Sequence, residues 1–333
     1  MADETRVMVV GAGAWGTALA VLLAREGHQV SLWTRRSDHA ERLQTERENK
    51  DYLPGVPLPD TLVATSTLEE AGSHDALLFA IPAQHARAYL AKLCDVSDGA
   101  RLPVALCSKG LERGTFAPMH RVLKEVWPEA DPAVLSGPSF AADVARGLPT
   151  AVTLAAEDEV RRNFWLDLLA TSSFRPYASS DLLGAELGGA VKNVLAIACG
   201  IAEGKGFGES AKAALIARGF AEFQRYGLAL GAQPETLGGL SGLGDLVLTA
   251  NSKQSRNFSL GVAIGEGTKL EDYLGQQRNV AEGAATAGPL IDSARSKGIN
   301  MPICAGIAAI IDDSADVDDV IDTLMNRPLR SEG

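Results

Sequence analysis

Histidine is scarce in this 333-residue sequence, and none follows His120. Any general acid or base in the second half of the chain must therefore be a lysine or a carboxylate. Cysteine is also rare: the four are Cys94, Cys107, Cys199 and Cys304, with no C-x-x-C pair and no nearby histidine. This spacing predicts no metal site and indicates small core residues in a reducing compartment.

Basic residues are fewer than acidic ones, and the formal net charge is -11. Binding to nucleic acid or to a membrane surface needs clustered lysine and arginine, so we expect neither a nucleic-acid partner nor a stable membrane association. The N-terminal stretch MADETRVMVV is acidic where a signal peptide is basic, and no apolar run approaches the ~20 residues of a membrane span. We therefore expect a cytoplasmic protein.

No internal repeat or low-complexity linker divides the chain. At roughly 150 residues per domain, its length predicts two domains. Strand and helix patterns alternate in the first part, whereas strand patterns almost disappear after Asp181. We predict an α/β Rossmann-type N-terminal domain (residues 1–180) with a mostly parallel sheet, followed by an all-α C-terminal domain (residues 181–333) for substrate binding and catalysis.

A glycine-rich turn follows the first predicted strand and opens a predicted helix. Gly11, Gly13 and Gly16 form the pattern G-x-G-x-x-G in this context. Gly11 permits the tight turn, Gly13 lets the backbone approach a pyrophosphate, and Gly16 allows close packing of helix and strand. Because the start of a helix attracts phosphate, the turn predicts a dinucleotide cofactor.

The residue that would select the form of this cofactor differs from the NAD pattern. An acidic residue is expected about 20 positions after the turn, where it would bind the adenosine ribose of NAD. Thr34, Arg35 and Arg36 stand there instead. Arginine can pair with a 2′-phosphate, so we favour NADP over NAD. The alternative is that both arginines are solvated surface residues.

A single charged side chain, Lys192, interrupts an apolar run from Ala190 to Ala202. A helix that is apolar on all sides belongs in a core. Its ammonium group either reaches water along the alkyl stem or loses solvation, which lowers its pKa and makes it suitable for proton transfer. Local sequence alone leaves both alternatives open.

Two other charged residues follow buried or glycine-rich segments. Lys109 comes directly after an apolar strand and before a glycine, so it should point into the ligand cleft rather than along a helix surface. Asp245 follows the glycine-rich stretch at 238–244, and we expect its carboxylate to be displayed rather than packed. The alternatives are an ordinary loop lysine and a helix N-cap.

Two polar turns are candidates for binding an anion. Gly137 and Ser139 precede a predicted helix and offer free N–H groups and a hydroxyl, although Ser139 is equally suited to capping that helix. Ser255, Arg256 and Asn257 also begin a predicted helix, and the guanidinium suits a phosphate. A solvated helix start is the alternative.

Taken together, these motifs strongly resemble the bacterial glycerol-3-phosphate dehydrogenase family from Val9 to about Pro302. The motifs are GAGAWGTALA (11–20), SKGLE (108–112), SGPSFA (136–141), ELGGAVKNVLAIACG (186–200), GLSGLGDLVLT (239–249), QSRN (254–257) and VAEG (280–283). The resemblance implies NAD(P)-dependent interconversion of dihydroxyacetone phosphate and sn-glycerol 3-phosphate for glycerophospholipid synthesis. It is compatible with a homodimer, since dimers are common among relatives.

The resemblance also implies individual roles. Lys192 matches the family's proton acceptor, and it would donate a proton to the carbonyl oxygen during reduction. Substrate contacts match Lys109, Gly137, Ser139, Lys192, Asp245, Ser255, Arg256 and Asn257. Cofactor contacts match Ala14, Trp15, Arg35, Lys109, Ala141, Arg256, Val280 and Glu282, beside the turn glycines.

Two other functions remain open from the residues alone. A 3-hydroxyacid or 6-phosphogluconate-type dehydrogenase also joins a Rossmann domain to a helical domain that bears a lysine, but it needs a carboxylate-binding arrangement. A catalytically silent NAD(P)-binding regulator should keep the glycine turn and lose the polar cluster. Lys109, Lys192, Asp245 and Arg256 are all present, which argues against the regulator.

Overall fold

The computed structural model describes residues 5–276 and 281–328. Its strands are β1 (Arg6–Val10), β2 (Gln29–Trp33), β3 (Glu48–Asn49), β4 (Leu53–Pro57), β5 (Leu62–Thr65), β6 (Ala76–Phe79), β7 (Pro103–Leu106), β8 (Asp131–Ser136), β9 (Thr150–Ala155) and β10 (Phe174–Ser179).

The α-helices are α1 (Ala14–Arg25), α2 (Ser37–Glu46), α3 (Ala83–Val96), α4 (Met119–Val126), α5 (Ala141–Ala145), α6 (Glu159–Leu169), α7 (Leu182–Gly204), α8 (Gly208–Ala229), α9 (Pro234–Gly238), α10 (Asp245–Ala250), α11 (Arg256–Gly265), α12 (Leu270–Gln276), α13 (Glu282–Ser296), α14 (Pro302–Ile311) and α15 (Val317–Met325). A 3-10 helix spans Leu68–Ser73, and a π-helical turn spans Leu240–Gly244.

Eight strands form one sheet in the order β10-β9-β8-β7-β6-β1-β2-β5, with only the β8–β9 pair antiparallel. Strands β3 and β4 form a separate antiparallel hairpin. All residues of β6 are buried, as expected where helices cover both faces of a parallel sheet. The predicted mostly parallel Rossmann-type sheet is confirmed. Strand order reverses between β1 and β6, which opens a ligand crevice beyond their carboxyl ends.

After Asp181 every described regular element is helical, which confirms the second part of the predicted fold class. The last strand ends at Ser179 and α7 begins at Leu182. The division into domains at residues 180 and 181 stays a prediction. Asp181 caps α7 through a 2.8 Å bond from the N–H of Gly184 and also accepts the N–H of Gln233 at 2.8 Å.

Helix α7 is the central element of the helical part. By length and composition it could cross a membrane, so the expectation that no segment approaches that length is wrong. However, 94% of its most apolar 18-residue window is buried inside the protein. A helix that is apolar all round packs in this way in a core.

Glycines bring α7 and α11 into backbone contact. A Cβ on Gly200 would overlap the carbonyl oxygen of Phe258, and a Cβ on Gly261 would overlap that of Ile197. The same pattern recurs one turn further on, at Gly204. Because side chains larger than hydrogen would separate the helices, these glycines fix where α11 begins relative to α7.

Candidate functional site

The glycine-rich turn after β1 has the geometry that its sequence predicts. Gly11 has a φ of +121°, and a Cβ there would lie 2.9 Å from the carbonyl oxygen of Ala80 at the end of β6. A Cβ on Gly16 would overlap the carbonyl oxygen of Gly11. In contrast, a Cβ on Gly13 would meet nothing within 4 Å. The turn therefore packs tightly on its inner side and leaves open space beside Gly13.

The start of α1 borders this open space. Gly13 is the N-cap of α1 and offers no side-chain hydrogen bond to the first N–H groups of the helix. Ala14 and Trp15 are the first two helical residues, so their N–H groups belong to the positively polarised helix end. Together with the room beside Gly13, they would hold a pyrophosphate without displacing a protein group.

Arg35 follows β2, the strand next to β1, and its side chain is exposed. Among the described residues it makes no recorded ion pair, whereas Arg36 lies 3.8 Å from the carboxylate of Asp38. The preceding Thr34 is buried, and its N–H donates to Thr65 at 2.9 Å. Arg35 thus lies on an anchored loop directly after the carboxyl end of β2.

Lys109 lies in the loop after β7. This loop lies between the glycine-rich turn and helix α7. The hydroxyl of Ser108 donates to the carbonyl of Ile81 at 2.6 Å, and a Cβ on Gly11 would lie 3.4 Å from the Ile81 side chain. A Cβ on Gly189 of α7 would come within 3.0 Å of the Lys109 alkyl stem. The small residue at position 189 therefore lets the lysine lie against α7.

Three predicted charged residues meet in one buried cluster. The Nζ of Lys192 lies 2.6 Å from Oδ1 of Asp245, and the Nζ of Lys109 lies 2.8 Å from Oδ2. Lys192 is 7% exposed and Asp245 is 1% exposed. The snorkelling alternative for Lys192 is therefore wrong. The expectation that Asp245 is displayed is also wrong, because its carboxylate is buried between the two lysines.

The pKa values of the two lysines in the cluster are shifted in opposite directions. Burial lowers the pKa of Lys192 to about 7, helped by the charge of Lys109 and opposed by Asp245. Burial is also the largest single effect on Lys109, but the attraction and hydrogen bond of Asp245, with contributions from Lys192 and Glu282, together outweigh it, so the pKa of Lys109 is raised. Burial opposes the ionisation of Asp245, yet the two ammonium groups prevail and its pKa is lowered. Lys192 alone is poised to titrate near neutrality.

Thr249 completes the cluster, and the sequence reasoning missed it. Its hydroxyl donates to the backbone carbonyl of Asp245 at 2.6 Å, so its oxygen accepts from the Nζ of Lys192 at 2.9 Å. Four-residue spacing from Asp245 places it on the same helical face, which was the signal available. The stretch before Asp245 is a π-helical turn, and a Cβ on Gly188 of α7 would overlap the carbonyl of Ser241 in that turn.

The three candidates at the start of α11 have different environments. Ser255 is the N-cap, and its hydroxyl accepts the N–H of Phe258 at 3.2 Å. Asn257 is buried, donates to Asn193 at 3.0 Å and accepts the N–H of Gly283 at 2.8 Å. Arg256 is exposed and has no recorded ion pair in the described part of the chain. Of the three, the guanidinium of Arg256 is the group left to meet an anion, while Asn257 ties α11 to α7 and α13.

The turn at Gly137 lies next to the cluster. Its hydrogen bond runs from the hydroxyl of Ser139 to the carbonyl of Gly137 at 3.0 Å. Phe140 rather than Ser139 caps α5, so the N-cap alternative for Ser139 is wrong. The ring of Pro138 would lie 3.7 Å from a Cβ on Gly244, the residue before Asp245.

The remaining candidates lie at helix starts. Ala141 is the first residue of α5 and packs against the core beneath the sheet. Glu282 is the first residue of α13, and its charge acts on Lys109. Val280 lies outside the described residues. Within residues 5–276 and 281–328, no group of three or more histidine, cysteine or acidic side chains could hold a metal ion.

Comparison with known families covers both parts of the chain. A model described as NAD-dependent glycerol-3-phosphate dehydrogenase N-terminus matches residues 6–161, and one described as the C-terminus of the same enzyme matches residues 181–322.

Relatives and solved structures agree with this match. The glycerol-3-phosphate dehydrogenase (NAD(P)+) of Parvibaculum lavamentivorans is 54% identical over 98% of this chain and 98% of its own length. That of Hyphomonas neptunium is 55% identical over 97% and 96%. A crystal structure of glycerol-3-phosphate dehydrogenase from Coxiella burnetii has a TM-score of 0.93 at 37% identity and covers 97% of this chain and 99% of its own.

Proposed function

The chain belongs to the NAD-dependent glycerol-3-phosphate dehydrogenase family, and we propose that it catalyses the reversible NAD(P)H-dependent reduction of dihydroxyacetone phosphate to sn-glycerol 3-phosphate. The observation that carries this proposal is the buried cluster of Lys192, Asp245, Lys109 and Thr249. A nicotinamide, when bound, supplies or accepts the hydride at the carbon, and the cluster handles the proton and charge on the oxygen.

Lys192 is the proton donor and acceptor. A lysine ammonium carries three hydrogens, of which Asp245 and Thr249 hold two. The third is the hydrogen that Lys192 gives to the carbonyl oxygen of the ketone during reduction. In the neutral amine the same two hydrogens stay on their acceptors, so the lone pair takes the third position and can remove the alcohol proton during oxidation.

Lys109 and Arg256 bind the charged parts of the substrate. Lys109 keeps its proton because the pKa of its ammonium is raised, so it can stabilise negative charge that develops on the substrate oxygen. Asp245 orients both lysines. Arg256, exposed at the start of α11, anchors the phosphate, and this remote binding energy positions the reacting carbon. Gly137, Ser139, Ser255 and Asn257 shape the walls around these groups.

NADP is the preferred form of the cofactor. The exposed guanidinium of Arg35 and the absence of an acidic residue at this point of β2 support this preference. The chain acts in the cytoplasm as a homodimer, with its phosphorylated substrate as its small-molecule partner, and supplies glycerol 3-phosphate for glycerophospholipid synthesis.

The decisive test is oxidation of NADPH and NADH by the purified protein in the presence of dihydroxyacetone phosphate. We expect turnover with both and a lower KM for NADPH. No turnover with either would contradict the proposed activity, and a lower KM for NADH would contradict the role of Arg35. A 3-hydroxyacid serves as the control substrate in the oxidative direction, since turnover of that carboxylate instead of glycerol 3-phosphate would favour the hydroxyacid alternative.

A further inference from the structure

A buried polar network lies behind the glycine turn, on a hairpin that the sequence did not predict. The hairpin is β3–β4, and the carboxylate of Glu48 accepts the N–H of Gly55 across it at 2.8 Å. Asn49, the residue after Glu48, is 1% exposed, and its side chain reaches the glycine-rich turn at Ala12. A buried amide needs partners for all its polar atoms, so its contacts show what it holds in place.

Asn49 uses both sides of its amide. Its Nδ2 donates to the carbonyl of Ala12 at 3.0 Å and to the hydroxyl oxygen of Thr17 at 2.7 Å. A carbonyl can only accept, so the atom that faces Ala12 must be the amide nitrogen. Oδ1 then faces Nε2 of His39 at 3.4 Å. Asn49 is therefore bonded to the glycine turn, to the first turns of α1 and to α2.

The bond to Ala12 determines where the next N–H points. In a trans peptide the C=O and the following N–H point in opposite directions, and the described chain has no cis peptide. Holding the carbonyl of Ala12 on Asn49 consequently fixes the N–H of Gly13 on the face of the turn opposite to the network. Without Asn49 the buried carbonyl would lack a partner and the peptide could rotate towards another one.

His39 extends the network to the ribose side. Its Nδ1 lies 3.1 Å from the hydroxyl of Thr34, the residue before Arg35. Burial lowers the pKa of His39, which favours the neutral ring. Because Oδ1 of Asn49 can only accept, Nε2 carries the hydrogen and Nδ1 accepts from Thr34. The network thus joins the phosphate turn to the loop that carries Arg35.

We propose that Asn49 and His39 are positioning residues for dinucleotide binding, which hold the glycine turn and the Arg35 loop at a fixed separation. This inference rests on the proposed function, since it presumes that a dinucleotide spans the two segments. The hydrogen-bond partners of Asn49 and His39 among the described residues do not include the buried lysine cluster, so the two residues should affect cofactor affinity and leave the chemical step unchanged.

The test is the Kd of the full-length enzyme for NADPH, measured by quenching of tryptophan fluorescence and independent of turnover. Asn49→Asp keeps the shape and removes both donors, so we expect the Kd to rise about tenfold or more. We expect kcat at saturating NADPH and the KM for dihydroxyacetone phosphate to stay within about twofold. Glu48→Ala is the matched control, because it weakens the same hairpin and leaves the bonds of Asn49 intact.

The outcomes are distinct. A Kd for Asn49→Asp no higher than that for Glu48→Ala would overturn the inference. If Asn49→Asp fails to fold, Thr17→Val removes only one acceptor of the network and should still raise the Kd severalfold; an unchanged Kd there would also overturn it. His39→Gln, which keeps a donor for Asn49, should bind more tightly than His39→Ala. A wild-type enzyme that binds no dinucleotide would contradict the proposed function itself.

Discussion

Raising the pH through neutrality should slow reduction of dihydroxyacetone phosphate and accelerate oxidation of glycerol 3-phosphate, because the two directions need opposite protonation states of Lys192. The pKa of this lysine is lowered by burial to about 7. Reduction needs the ammonium, so its kcat/KM should fall roughly tenfold between about pH 8 and about pH 9. A lysine with an ordinary pKa of about 10.4 would keep the rate flat over this range.

The assay follows the absorbance of the reduced nicotinamide at saturating dinucleotide and constant ionic strength, in both directions. Asp245→Asn provides a second perturbation of the same quantity. Because the carboxylate raises the pKa of Lys192, its removal should move the alkaline limb of the reduction profile to lower pH and reduce the rate at neutrality. Flat profiles in both directions, or an alkaline limb that Asp245→Asn leaves in place, would refute this reasoning.

Three further substitutions test other parts of the structure. Arg256→Ala should raise the KM for dihydroxyacetone phosphate about 10–100-fold with a smaller effect on kcat, and an unchanged KM would place the phosphate elsewhere. Gly261→Ala places a Cβ against a backbone carbonyl of α7 and should lower the free energy of unfolding by about 3 kcal/mol in a denaturant titration. Gly288→Ala is the control, because a Cβ there meets nothing within 4 Å, and it should change the free energy of unfolding little. Thr249→Val removes one acceptor from Lys192 and should lower kcat about tenfold at unchanged KM, whereas an equal kcat would deny it a positioning role.

The parts of the fold that depend on local pattern were predictable. The turn at residues 11–16 combines φ requirements and close packing that only glycine meets, so its sequence determines its geometry. The alternation of strands and helices likewise predicted the parallel sheet. The hairpin β3–β4 was missed because β3 has only two residues and β4 contains proline and glycine, which weaken a strand pattern.

The environment of the candidate site was less accessible, because it depends on contacts between distant segments. Asp245 follows a glycine-rich stretch that is typical of an exposed loop, yet lysines 53 and 136 residues away bury and neutralise it. Asn257 is a polar residue at the start of a helix, as is typical of a ligand contact. Its amide is nevertheless hydrogen-bonded to Asn193 and Gly283. The motifs predicted which side chains form the site and left open which partner each one takes.

Proton transfer by Lys192 is tested most directly by the kcat of Lys192→Ala together with its Kd for NADPH. We expect kcat to fall about 10²–10⁴-fold while dinucleotide binding stays largely intact. Lys212→Ala is the matched control, since that buried lysine pairs with Glu203 and Glu209 on the helical part and should leave kcat unchanged. Near-wild-type turnover of Lys192→Ala would contradict the account.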